Sequence, residues 1–123
     1  MAKFTTFSTA ETNPDLDMVE DVSPDEVNAK IGDLTLVDVR SSDEFTGELG
    51  HIPNSKLVTL DTLMDHIGDI PKDKTVVFIC RSGRRSASAT AIAKDHGFDS
   101  VYNMKGGMLL WNEMGLTTEG KSS

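Results

Sequence analysis

Thr75-Val76-Val77-Phe78-Ile79-Cys80-Arg81-Ser82-Gly83-Arg84-Arg85-Ser86 is the stretch on which the reading of this chain turns. Its first five residues are apolar or β-branched and too few for a helix, so they predict a buried strand. Cys80 stands at the carboxyl end of that strand. Behind it a polar turn leads into a small-residue helix running through Ile92 and Ala93 and closed by Gly97. The same alternation extends in both directions. Thr35 to Val39 predicts a second buried strand, Lys56 to Val58 a weaker one, Ser100 to Met104 the last, and Met18 to Val22 a short edge strand. Ser23-Pro24-Asp25-Glu26 and Ser41-Ser42-Asp43-Glu44 each read as a capping box opening a helix. Asp61 reads as the cap of a helix carrying Leu63, Met64 and Ile67. Gly106-Gly107 precedes a final helix with Leu109, Leu110 and Trp111. Strands alternating with helices predict an α/β fold whose open, mainly parallel sheet has helices on both faces. Ligands of such sheets bind beyond the carboxyl ends of the strands, where Cys80 sits.

Composition bounds the function. The 123 residues are enough for one domain. Residues 1–17 and 118–123 are polar and read as flexible ends around a domain of residues 18–117. The net charge of -8 argues against binding nucleic acid or an anionic membrane through the overall field. No stretch approaches the ~20 apolar residues of a membrane helix. The first ten residues lack the charged and apolar regions of a secretory signal and the arginines of a transit peptide. A single cysteine excludes an internal disulfide and a cysteine-based zinc site, and suits a reducing compartment. These features predict a cytoplasmic protein.

Chemistry concentrates at Cys80. A thiolate is stabilised by helix N-termini and nearby cations. The turn after Cys80 offers amides without intrahelical partners, a glycine at Gly83, and hydroxyl donors at Ser82 and Ser86. Arg81, Arg84 and Arg85 set three cations beside the sulfur of an acidic protein. Positive charge at a helix N-terminus opposes the helix dipole, so local stability does not account for the cluster; binding of an anion with several oxygens does. A lone cysteine after an apolar strand is more often inert core, and the arginines, glycine and serines behind it are what reverse that reading. His51, His66 and His96 lie far away in sequence and read as loop or surface residues.

Four segments in order resemble the single-domain rhodanese, or thiosulfate sulfurtransferase, family. They are Leu36-Val37-Asp38-Val39-Arg40; Asp43-Glu44-Phe45 with Gly50-His51-Ile52-Pro53-Asn54-Ser55; the Cys80 loop; and Gly106-Gly107 with Trp111. Asn54 stands where glycine is commoner in that family. The resemblance implies a five-stranded, mainly parallel sheet and an active-site loop from Cys80 to Arg85 whose amides surround the sulfur. It implies a structural role for Asp38 and Arg40, which tie a strand end to the following loops, and a core position for Trp111. The implied reaction moves the outer sulfur of thiosulfate to cyanide or a thiol through a Cys80 persulfide, with no metal or organic cofactor. Its partners are a small anionic sulfur donor (thiosulfate or polysulfide) and a thiol or acceptor protein. Arg81 and Arg84 are the first choices for holding the sulfonate end, with Arg85 free to pair with an acid instead.

Two other readings are open. Cysteine phosphatases and arsenate reductases of related fold place five residues between Cys and Arg, whereas here the sixth position after Cys80 is Ser86 and Arg85 comes one step early. A non-catalytic rhodanese-like module would typically lack the cysteine, which leaves a partner-dependent sulfur carrier as its nearest version.

Overall fold

The computed structural model describes residues 4–121. Its centre is the stretch quoted above: Thr75–Ile79 forms β5, every residue of it buried. Alternation along β5 sorts the core. Val77 and Ile79 join Val22, Leu36, Met108 and Trp111 on one face, while Val76, Phe78 and Cys80 join Val37, Leu63, Ala89 and Phe98 on the other. A strand buried on both faces has no polar side, which is why it reads as a continuous apolar run.

Around β5 the sheet has the order β1-β2-β6-β5-β3-β4. The partners are β1 (Glu11–Thr12), β2 (Glu20–Val22), β3 (Leu34–Asp38), β4 (Lys56–Leu57) and β6 (Val101–Met104). All pairings are parallel except that of β1 with β2. The mainly parallel α/β sheet is therefore as expected, with one strand more. Helices α1 (Pro24–Ala29) and α5 (Gly107–Glu113) cover one face through Val27, Met108 and Trp111. Helices α3 (Leu63–His66) and α4 (Arg84–Asp95) cover the other through Leu63, Ala89 and Ala93. The short α2 (Ser42–Phe45) follows β3. Among the described residues no helix is long and apolar enough to cross a membrane.

The extra strand lies in the segment read from the sequence as a flexible end, whose described residues engage the sheet. Phe7 is buried and meets Tyr102 edge-on at 4.9 Å, Glu11–Thr12 pairs with β2, and Asn13 is buried. Buried Phe7 together with bonds from Ser8 and Thr9 to Glu26 and from Asn13 to Asp21 holds the segment against the domain. The tail from residue 118 is likewise engaged, since the backbones of His51 and Glu119 exchange hydrogen bonds at 2.9 and 3.0 Å. Met1 to Lys3 and the last two residues lie outside the described part.

Of the three expected helix starts, one is as read from the sequence and two differ. Ser41 and Glu44 close a full capping box. Ser23 makes no capping bond: its amide and hydroxyl turn to Thr9 Oγ1, and the Glu26 side chain accepts from the Ser8 and Thr9 amides and hydroxyls. Asp61 lies within a 3-10 turn, Leu60–Thr62, instead of capping α3, and Met64 is exposed. Asn54, in the place where the family favours glycine, has φ +70°, a conformation Asn tolerates better than most residues.

Candidate active site

Cys80 leaves β5 and the chain turns at once. Gly83 (φ +99°) caps α4, a conformation that a side chain would strain. The N-terminal amides of α5 hold the turn from behind: Met108 N–H donates to the Cys80 carbonyl at 2.8 Å and Leu109 N–H to that of Arg81 at 3.0 Å. A side chain on Gly107 would collide with these same loop carbonyls. The second glycine of the Gly106-Gly107 pair thus lets α5 close on the Cys80 loop.

The sulfur is buried, with the whole residue 1% exposed. Gly83 N–H donates to Cys80 Sγ at 3.0 Å, and Ser86 Oγ lies 3.2 Å from it. Of the amides expected to surround the sulfur, that of Gly83 is the one within hydrogen-bonding reach. Those at the start of α4 still carry the positive end of its dipole.

The loop's three arginines have different surroundings. Arg85 is forked onto Glu44, with Nη1 to Oε1 at 2.7 Å and Nη2 to Oε2 at 2.8 Å. The Arg85 bond, opposed by partial burial and aided by the Ser41 amide, holds the Glu44 carboxyl down at about 2. The same bond raises Arg85, with the Cys80 sulfur a lesser contributor. Arg81 and Arg84 are exposed, and neither forms an ion pair among the described residues. Ser82 is exposed as well. Two open clefts flank the loop. One of about 820 Å³ runs along Ser82, Gly83 and Arg84, and one of about 520 Å³ runs past Arg85 and Asp61.

Asp38 and Arg40 are fully buried. Arg40 Nη2 donates to Asp38 Oδ2 at 2.7 Å and to the Gly50 carbonyl at 2.7 Å, Nε donates to Asp38 Oδ1 at 2.9 Å, and Nη1 donates to the Glu44 carbonyl at 3.1 Å. The pair ties the end of β3 to α2 and to the Gly50 loop. Trp111 is core, its Nε1–H donating to the Thr117 carbonyl at 2.9 Å. His51 is stacked on Phe45 at 3.7 Å and bonded to its carbonyl at 2.7 Å.

A set of buried polar residues was not singled out from the sequence. Asn103 Nδ2 donates to Gly83 O at 3.1 Å and to Asp21 Oδ1 at 2.8 Å, and Asn103 Oδ1 lies 2.5 Å from Ser86 Oγ. Asn13 Nδ2 also donates to Asp21, at 3.0 and 3.2 Å. The available signal was a polar side chain, Asn103, inside a strand otherwise read as apolar.

Residues 23–114 match the family model described as a rhodanese-like domain. A sulfurtransferase of Allochromatium vinosum is 44% identical over 41 residues, a match that takes in 33% of this chain and only 38% of that protein's length. A rhodanese-related protein from Thermoplasma volcanium has a similar structure, with a TM-score of 0.74 and 27% identity over 79% of this chain and 94% of its own. So has a Rhodopseudomonas palustris protein of unknown function described as a possible tyrosine phosphatase, with a TM-score of 0.75 and 29% identity over 83% of this chain and 86% of its own.

Proposed function

The chain belongs to the rhodanese-like domain family, and from that premise we propose that it is a sulfurtransferase working through a persulfide on Cys80. The observation that carries this reading is the Gly83 N–H aimed at Cys80 Sγ from 3.0 Å, at the mouth of a twelve-residue helix. A backbone donor at that place can hydrogen-bond the charge that the sulfur carries as it attacks and as it leaves.

The Cys80 thiolate attacks the outer sulfur of thiosulfate. The donor's S–S bond breaks, its electron pair leaves with sulfite, and the new bond to Sγ makes a persulfide. Cyanide or a thiol then attacks that outer sulfur, and the bonding pair returns to Sγ. Two easy displacements replace one hard transfer, with the loop amide and helix dipole as fixed electrostatic support. Arg81 and Arg84, exposed and without an ion-pair partner, hold the sulfonate end. Arg85, committed to Glu44, supports the loop. Ser82 lines the entrance, and Asp38 and Arg40 keep the strand end rigid. No metal or organic cofactor enters the reaction, and the setting is the cytoplasm. Polysulfide is the alternative donor and a partner protein the alternative acceptor.

The phosphatase reading has the Rhodopseudomonas protein's description in its favour. Against it stand Ser86 at the sixth position after Cys80 and the engagement of Arg85 by Glu44.

Intact-mass measurement after thiosulfate treatment tests the proposal. The chain should gain one sulfur atom with sulfite released in step, and Cys80→Ser should gain none. Arg84→Ala should cut thiosulfate use about tenfold, the loss of one charge-assisted contact, and polysulfide use far less. An unchanged mass together with turnover of an aryl phosphate would transfer the case to the phosphatase.

A further inference from the structure

The hydroxyl of Ser86 has one proton and two neighbours that could take it. Asn103 Oδ1 is 2.5 Å away and Cys80 Sγ 3.2 Å away. Which neighbour receives it depends on which end of the Asn103 amide faces Ser86, and that is settled on the far side of Asn103. There its Nδ2 meets two acceptors, the Gly83 carbonyl and the Asp21 carboxylate. Asp21 is 5% exposed and makes no ion pair among the described residues. Among the described residues it receives N–H groups from Asn103 and Asn13 alone. A carboxylate surrounded by donors fixes the nitrogen of Asn103 toward itself and the oxygen toward Ser86. The Ser86 proton is thereby committed to Asn103, and the Ser86 oxygen presents lone pairs to the sulfur. That arrangement accepts a proton from a neutral thiol and offers nothing to a thiolate.

We propose that Asp21 is a positioning residue for Cys80, acting through Asn103 to decide whether the Ser86 hydroxyl faces the sulfur as acceptor or as donor. Asp21 touches neither sulfur nor substrate. With Asn103 and Ser86 it forms a buried chain from β2 across β6 to the active-site loop, and Asn13, from the segment preceding the matched family domain, anchors its outer end. The inference deepens the reading of Cys80 as the sulfur carrier and rests on it for its functional meaning.

The charges around the sulfur are Arg81, Arg84 and Arg85 on its own loop and helix, Glu44 of α2 forked onto Arg85, the Asp38–Arg40 pair at the end of β3, and Asp21 on β2. β6 and the first turn of α5 carry none, and Lys105 between them is paired with Glu11 at 2.7 Å. Asp21→Asn removes the carboxylate that holds the Asn103 nitrogen at 2.8 Å and gives position 21 a nitrogen that can donate to Asn103 Oδ1, so that only the Gly83 carbonyl at 3.1 Å still opposes a turned Asn103. In the turned form the Ser86 proton is released to the sulfur.

The test is the pH dependence of iodoacetamide alkylation of Cys80 in the whole chain, for the native protein, Asp21→Asn, Ser86→Ala and the double variant. Asp21→Asn should move the pH midpoint of alkylation downward and make the reaction several-fold faster below it. In the Ser86→Ala background the same substitution should retain less than about a third of that shift, because coupled residues are not additive. An equal shift in both backgrounds would mean that Asp21 acts only as a charge through space. No shift in the native background would mean that it does not act at all. Either result overturns the proposal. Should Asp21→Asn not fold, Asn103→Ala takes its place in the same four-way comparison, with the same Ser86-dependent downward shift expected. Alkylation reports the thiol whether or not sulfur is transferred, so failure here is distinct from failure of the persulfide assay.

Discussion

The Cys80 loop is held from two sides by different chemistry. On the side of β3 and α2, charge answers charge: Arg40 on Asp38, Arg85 on Glu44. On the side of β2 and β6 a buried carboxylate, Asp21, is answered by the amides of Asn13 and Asn103, with no cation on it among the described residues. Ion pairs of fixed sign and forked geometry permit one arrangement, since a guanidinium is always a donor and a carboxylate always an acceptor. An asparagine amide or a serine hydroxyl can present either role. The first side therefore fixes where the loop stands, and the second side can change what faces the sulfur without moving the backbone.

The largest effect should come from the charged side. Arg40→Ala leaves the Asp38 carboxylate fully buried without its cation and also strips the bonds to the Gly50 and Glu44 carbonyls. A loss of about 3–5 kcal/mol is expected, read as the shift in urea midpoint at constant slope. Replacing both members at once, Asp38→Asn with Arg40→Met, should recover part of it. A loss under about 1 kcal/mol for Arg40→Ala would show that water reaches Asp38 and that this side is not the rigid one.

Glu44→Gln should cost less, about 1 kcal/mol at neutral pH, because the Glu44–Arg85 pair is about a third exposed and screened. Its signature is in the acid range. Glu44 titrates at about 2 in the folded chain against an ordinary 4.5. Its contribution is therefore complete above the ordinary value and is lost as pH falls from there toward about 2. The variant should lose stability less steeply than the native protein through that window. Some slope will remain, because Glu26 titrates in the same direction. Burial alone would raise Glu26, but bonds from Thr9, Ser8 and Lys30 outweigh it and hold the carboxyl well below its usual range. Identical acid limbs for native and variant protein would count against the Arg85 bond in solution.

Much of this architecture was legible because local spacing reports it. The apolar run before Cys80 and the glycine at 83 encode their surroundings over a few residues, and the resemblance to the family supplied the structural role of Asp38 and Arg40. The amide side is different. Asn103 reaches Asp21 across 82 residues of sequence, and no periodicity or motif records a bond of that length. The contacts of residues 4–13 were hidden for the same reason. Phe7 looks stray until Tyr102 is beside it, and Asn13 looks like turn chemistry until Asp21 receives its N–H groups.

The smallest effect bears on the Ser-x-x-Glu signature, which both sides of the loop carry. At Ser41 the box is closed, with the Glu44 N–H on Ser41 Oγ at 3.3 Å and the Glu44 carboxylate on the Ser41 N–H at 3.2 Å. At Ser23 the backbone amide and hydroxyl both turn to Thr9 Oγ1, at 3.1 and 3.3 Å, while Glu26 holds the N-terminal segment. Ser41→Ala should therefore cost about 0.5–1 kcal/mol in thermal or urea melts, at the lower end for so long and exposed a bond, and Ser23→Ala a few tenths at most. The difference has a consequence at the sulfur. Ser41 holds Glu44 in place for Arg85, so its loss should also lower sulfur uptake by Cys80 slightly, whereas loss of Ser23 should leave uptake unchanged. Equal costs at the two serines would mean that the distant acceptor at Thr9 is no obstacle to capping and that the two helix starts are equivalent in solution.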